Sequence, residues 1–176
     1  SDKVGLSAEE LIRVAETPCE IPVLKTAFLF SCLTGLRKSD VKTFSWEMIQ
    51  PEADGTLYLT TRMQKTQEIV HNPIGEEALQ LIDGNREGLI FPEFKDSMTQ
   101  APFKRWMKAA GITKDITYHG SRHTFCSLQL EAGTDPRTVQ ALVGHKNLTT
   151  TQCYLDSINS RKKEAANRIT LKRATE

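Results

Sequence analysis

Between Pro22 and Gly35 the chain carries a nearly continuous apolar run, Val23 to Leu33, broken only by Lys25, Thr26 and Ser31. A proline at the entry and a glycine just past the end are the punctuation of an α-helix. A helix that is apolar almost all round has no face to give to water and must be buried on every side. It is far shorter than the roughly 18 apolar residues that mark a membrane span, so it belongs at the centre of a globular core. That requirement shapes everything else: the remaining segments have to wrap it. A chain of 176 residues is long enough to do so as one domain.

The wrapping segments can be read in order. Leu6-Ser7-Ala8-Glu9-Glu10 opens a helix, with Ser7 and Glu10 spaced as a capping box and Leu6 as a hydrophobic staple. After the central helix, Ser39 or Asp40 is placed to cap a third, short helix that includes Asp40 to Lys42. The period then shifts towards two. Phe44, Trp46 and Met48 alternate, and so do Leu57, Leu59 and Thr61 beyond an Asp54-Gly55 turn. A third strand runs Glu68 to Pro73, which leaves Lys65 at a polar hairpin tip. Helical patterns return at Glu76 to Ile82, at Ser97 to Ala110 with Phe103, Trp106 and Met107 on one face, around His119 and Arg122, and after Asp135-Pro136. Phe125, Leu128 and Leu130 are expected to bury the far side of the His119 helix. The fold class is therefore α+β and mostly helical, a single domain with a small three-stranded antiparallel sheet.

Composition removes several function classes. The cysteines Cys19, Cys32, Cys126 and Cys153 show no C-x-x-C spacing, so neither a zinc site nor a disulfide framework is expected, and a reducing cytoplasm fits. No signal peptide or Walker sequence is visible. Net charge is only +1, but residues 1–60 are acidic on balance and residues 61–176 basic. A basic later half can track a phosphate backbone or can be ordinary solvated surface.

The chemistry-bearing stretch runs from Tyr118 to Tyr154. It holds Y-H-G-S-R-H-T-F, an apolar helical run, L-V-G-H, and T-T-T-Q-C-Y. His119 and Arg122 are three apart and can share a helix face. Taken alone, a His-x-x-Arg pair is usually surface, a lysine in a polar turn is common, and a tyrosine is usually packing. The order of the set is what carries information. T-G-L-R-K-S-D around Arg37, R-H-T-F, L-x-G-H and T-T-x-x-Y resemble the signature boxes of the tyrosine recombinases, the phage integrase family. The resemblance extends from Leu6 to about Ile169. Within the family, R-H-T-F-C-S-L-Q-L and E-A-A-N-R-I look most like integrases of conjugative transposons from Bacteroides-type bacteria. Ser121 departs from the pattern, since an apolar residue usually precedes the arginine.

The resemblance implies six active-site residues: Arg37, Lys65, His119, Arg122, His145 and Tyr154. Their residue types suit phosphodiester exchange. A phosphodiester repels nucleophiles, and two guanidiniums can hold its nonbridging oxygens through paired, permanently charged hydrogen bonds. His145 can donate another. Tyr154 would attack phosphorus, leaving a phosphotyrosine that the family resemblance assigns to the DNA 3′ end. Lys65 would protonate the departing 5′ oxygen, and His119 would accept the tyrosine proton. The ester conserves the bond energy, so no cofactor, ATP or metal is expected. His123 is expected to be a structural histidine bonded inside the fold. The implied partners are double-stranded DNA, further copies of the chain as a tetramer on DNA, and accessory DNA-bending proteins, with no membrane partner. An amino-terminal DNA-clamping domain is expected beyond this chain. The competing readings are a type IB topoisomerase, which nicks and swivels DNA with similar residues, and a non-catalytic DNA-binding domain. Residues 159–173 are expected to form a basic amphipathic helix too short to persist alone in water, docking on its own domain or in trans on a neighbour.

Overall fold

The computed structural model describes residues 4–82, 84, 86–144 and 160–175. Its first helix, α1 (Ala8–Glu16), begins with the expected reciprocal cap. The Glu10 amide donates to Ser7 Oγ at 3.2 Å, and the Ser7 amide donates to Glu10 Oε1 at 2.8 Å. Helix α2 (Pro22–Thr34) is the buried axis: Leu24, Phe28 and Phe30 are inaccessible to solvent. Burying side chains of this size is worth about 1.5–3 kcal/mol each. Phe28 meets Phe103, Trp106 and Tyr118 edge-on at centroid distances of 5.0, 5.6 and 5.4 Å. Such edge-to-face contacts are favoured by the ring quadrupoles. The aromatics of the Ser97 to Ala110 stretch are thus core.

Gly35 ends α2 with φ 79°. A β-carbon there would lie 2.7 Å from the Phe125 ring, so the turn needs glycine both for its left-handed backbone and for the close packing. Helix α3 (Lys38–Thr43) follows. The sheet is antiparallel with order β1-β2-β3, formed by β1 (Ile49–Pro51), β2 (Leu57–Arg62) and β3 (Ile69–Pro73). Ile49 pairs with Leu59, and Thr61 with Val70. The first strand lies later than the Phe44-Trp46-Met48 alternation suggests. Residues Trp46–Met48 form a 3-10 turn instead, and Ser45 makes only a single bridge to Leu89. Phe44 is fully buried and Trp46 and Met48 are half-buried, so the alternation reports packing and not strand pairing.

Helix α4 (Glu76–Leu81) packs on α2. A 3-10 turn, Asp96–Thr99, leads into α5 (Ala101–Ala109). Helix α6 (Gly120–Glu131) lies directly against α2, and α7 (Pro136–Leu142) starts on an Asp135 cap with proline in its first turn. Phe125 and Leu128 are buried as expected, but Leu130 is 47% exposed. It is the penultimate residue of α6 and lies seven positions after the exposed His123, on the same outward face of the helix. No helix among the described residues is long and apolar enough to cross a membrane.

The carboxyl-terminal segment is helical only over 160–165 and continues as turns. It lies against its own domain. Ala165 is fully buried and Ile169 is 6% exposed. The carbonyl of Ala166 occupies the space that a β-carbon on Gly75 would need.

Candidate active site

The turn after α2 places Arg37 at the N-cap of α3, with Asp40 at the third helical position. Neither Ser39 nor Asp40 is the cap residue. Asp40 instead reaches back: its Oδ2 accepts from the Arg37 amide at 3.2 Å. Its Oδ1 accepts from the Gln64 amide at 2.8 Å, and the residue is 2% exposed. One buried carboxylate therefore joins the Arg37 turn to the β2–β3 hairpin immediately beside Lys65. The hairpin tip is further tied where Arg62 Nη1 donates to the Gln67 carbonyl at 2.8 Å, with Gln67 in a left-handed conformation at φ 61°. Sequence reasoning treated Asp40 only as a cap. Its spacing of three from Arg37 was the visible signal; its bond to Gln64, 24 residues away, was not.

His119 is the N-cap of α6 and Arg122 lies in that helix's first turn, with the Arg122 amide donating to the His119 carbonyl at 3.1 Å. Arg122 is 8% exposed. Its Nη1 donates to the Gly35 carbonyl at 2.8 Å and its Nη2 to the Val143 carbonyl at 2.9 Å. The guanidinium thus clasps the turn before Arg37 to the residue that follows α7. A guanidinium has five N–H donors, so three remain after these two bonds. Burial, and then the nearby Arg37 charge, pull the Arg122 pKa down to about 10. Arg37 Nε and Nη1 are buried without a hydrogen-bond partner. Among the described residues, neither arginine is ion-paired with a carboxylate. Two adjacent cations that, among the described residues, form no ion pair with a carboxylate make a site suited to an anion.

A cleft of about 640 Å³ opens over this region, lined by Arg37, Lys38, Lys65, Thr99, Lys104 and His119 among others. The structure thus brings Arg37, Lys65 and His119 to one cleft, with Arg122 braced behind it. His145 and Tyr154 lie outside the described residues. The other two tyrosines are poor nucleophiles. Tyr118 is 3% exposed, its hydroxyl is 2.9 Å from Ser31 Oγ, and burial pushes its pKa well above the ordinary range. Tyr58 is also buried and its pKa is raised by the same cause.

The two residues flanking Arg122 have opposite environments. His123 is exposed, not bonded inside the fold, and its ring lies where it would touch a β-carbon on Gly5. One position beyond Arg122 on a helix is a rotation of about 100°, which carries this side chain off the buried face. Ser121 is 1% exposed and its Oγ has no hydrogen-bond partner. The position is apolar in character although its residue is not.

The tail's cations are mostly committed to the domain. Lys163 pairs with Asp54, Arg161 with Asp135 at 3.7 Å, and Arg173 bridges Glu9 and Glu16 of α1 at 3.0 and 2.8 Å. Lys162 is 8% exposed and donates to the His71 carbonyl at 3.0 Å; burial lowers its pKa to about 8. Gln129 Nε2 donates to the Ala165 carbonyl at 2.9 Å.

The sequence profile described as the phage integrase family matches residues 6–161. The tyrosine recombinase XerD of Pseudomonas putida is 30% identical over 143 residues, covering 72% of this chain and 46% of that protein. The chain spans about half the length of the curated relatives it matches. Among solved structures, the integrase from mycobacterium phage Brujita superposes with a TM-score of 0.72 at 24% identity, covering 98% of this chain and 60% of that one. A lambda integrase tetramer bound to a Holliday junction gives 0.59 at 22% identity over 85% of this chain and 48% of that one. At these identities the structural matches establish the fold.

Proposed function

The chain belongs to the phage integrase family, and on that premise we propose that it is the catalytic domain of a site-specific DNA recombinase. The observation that supports this reading is a cleft lined by Arg37, Lys65 and His119, with the Arg122 guanidinium braced behind it and neither arginine ion-paired with a carboxylate among the described residues. The anion that completes the site is the scissile phosphate of duplex DNA. Arg37 and Arg122 bind its nonbridging oxygens and stabilise the charge that grows there during attack. His145 adds a donor. Tyr154 Oη forms the new bond to phosphorus as the bond to the 5′ oxygen breaks. His119 takes the tyrosine proton and Lys65 gives one to the leaving oxygen. A 5′ hydroxyl from a second duplex then displaces the tyrosine and exchanges strands. The burial of Tyr58 and Tyr118 supports Tyr154 as nucleophile.

The R-H-T-F-C-S-L-Q-L and E-A-A-N-R-I segments support a conjugative transposon of a Bacteroides-type bacterium as the element served, acting on DNA in the cytoplasm. The full protein would add an amino-terminal DNA clamp and assemble as a tetramer on two duplexes. The single chain holds residues 160–175 against itself. In the assembly the same segment would dock on a neighbour and pull on the short stretch that carries Tyr154. Truncation after Ser157 in the clamp-containing protein tests this: single-site binding persists while assembly and cleavage fall, and unimpaired recombination refutes it.

The main test is incubation with a nicked suicide duplex followed by a denaturing gel. A covalent protein–DNA band is expected, and joined recombinant products separate strand exchange from topoisomerase-like relaxation. No covalent species on any suicide duplex, with the protein bound, leaves a DNA-binding domain without chemistry.

A further inference from the structure

At the mouth of the cleft one acidic residue stands between two lysines. Asp96 opens the 3-10 turn that leads, through Thr99 and Gln100 on the cleft wall, into α5. Its Oδ2 lies 2.9 Å from Lys42 Nζ and its Oδ1 3.5 Å from Lys38 Nζ. Lys38 directly follows Arg37 and itself lines the cleft. Lys38 and Lys42 are four apart on α3 and share a face. The Lys42 hydrogen bond holds the Asp96 carboxyl below the usual range, so it is ionised wherever DNA is bound. All three side chains remain substantially exposed, at 37%, 38% and 59% for Lys38, Lys42 and Asp96. Such a surface cluster adds little to stability. It does change the local charge beside the cleft, presenting one net positive charge where two lysines alone would present two.

We propose that Asp96 is an internal competitor for DNA phosphate: it occupies Lys38 and Lys42, and so limits the grip of the cleft on DNA of arbitrary sequence. The idea rests on the DNA-binding reading given above. Its physical logic is that every lysine free to neutralise a phosphate strengthens binding to all sequences alike. A carboxylate already held by two lysines removes about one such contact. The cost falls equally on every site, so it shortens residence on DNA of arbitrary sequence and leaves the ratio set by base contacts unchanged.

The test compares the chain with its D96N variant on a fluorescently labelled duplex of arbitrary sequence, titrated from 50 to 200 mM salt. One added phosphate contact steepens the slope of log K against log salt by about 0.9. Taking that contribution as zero near 1 M salt, the variant binds about 15-fold tighter at 50 mM and about fourfold tighter at 200 mM. E131Q, at the far end of α6 from His119, controls for net charge and should move neither slope nor affinity by more than about a third of this. A K38Q/K42Q double variant should lose the effect of D96N altogether. Equal slopes for the chain and D96N overturn the proposal, as does an equal change from E131Q. A lowered Tm with unchanged binding identifies Asp96 as a mere staple between the turn and α3, and overturns it too. If the unmodified chain fails to bind the duplex at low salt, it is the DNA-binding reading that fails, and the proposal falls with it.

Discussion

Replacing Asp40 by asparagine separates placement of the proposed catalytic groups from their chemistry. The carboxylate has two buried acceptor bonds, to the Arg37 amide at 3.2 Å and the Gln64 amide at 2.8 Å. An asparagine keeps one oxygen but turns an NH₂ towards the second amide, so one buried N–H loses its acceptor and faces another donor. An orphaned buried donor costs about 1–3 kcal/mol. Taking about 2 kcal/mol, and about 2–4 °C per kcal/mol for a chain of this size, Tm falls by about 4–8 °C. The effect on cleavage should be larger than on folding, because either the Arg37 turn or the hairpin carrying Lys65 loses its anchor. A displacement of about 1 Å in a catalytic group can cost about 100-fold in rate. Single-turnover cleavage of a suicide duplex is therefore expected to slow about 100-fold, with duplex affinity changed less than about threefold. Repeating the measurement on DNA with sulfur at the 5′ bridging position apportions the loss. A thiolate leaves without a proton, so the share due to a displaced Lys65 disappears and the share due to Arg37 stays. A folded D40N protein that cleaves ordinary DNA at the original rate would refute the reasoning and leave Asp40 as a merely structural tie.

Other expectations are independent of that one. Tyr154→Phe should abolish the covalent band on a denaturing gel while leaving duplex binding intact; Tyr118→Phe should keep the band and lose about 1 kcal/mol of stability with its Ser31 contact. Cleavage should persist in EDTA, since guanidiniums and not a metal neutralise the phosphate in the mechanism proposed; loss of cleavage on a competent substrate counts against it. Ser121→Ala should raise stability by about 1 kcal/mol in urea denaturation, because it removes a buried hydroxyl without a partner; a loss would reveal a bond that the hydroxyl makes. Lys162 has a pKa of about 8 when the tail is docked, against an ordinary 10.5. The docked state therefore binds fewer protons between these values, and docking strengthens as pH rises from 8 to 10.5. Protease protection of the tail should follow that rise, and Lys162→Met should flatten it.

Much of this molecule was legible in one dimension because the relevant physics is local. An apolar run bounded by Pro22 and Gly35 can only be a buried helix, and α2 is that helix. Ser7 with Glu10 makes a cap within four residues, and Asp135 before Pro136 makes another. The Asp54-Gly55 turn and the alternation after it fixed β2 and the hairpin tip. Where local pattern misled, several environments share one signature. Phe44, Trp46 and Met48 alternate in the sequence and are all at least half-buried, yet Trp46–Met48 form a 3-10 turn and not a strand. Leu130 has the character of a core residue but shares the outward face of α6 with His123, seven positions earlier. The boxes around Arg37 and Arg122, and the polar hairpin tip at Lys65, named the candidate residues by resemblance. They did not reveal that Asp40 ties the Arg37 turn to Gln64, or that Arg122 ties Gly35 to Val143, across sequence separations of 24, 87 and 21 residues. Nor did they show that Asp96 stands between Lys38 and Lys42, or that the basic tail lies on Asp54, Asp135, Glu9 and Glu16. Helix periods, caps and turns are set by neighbours along the chain. The partner of a buried charge is set by whichever segment the fold brings to it, and only the tertiary structure decides that.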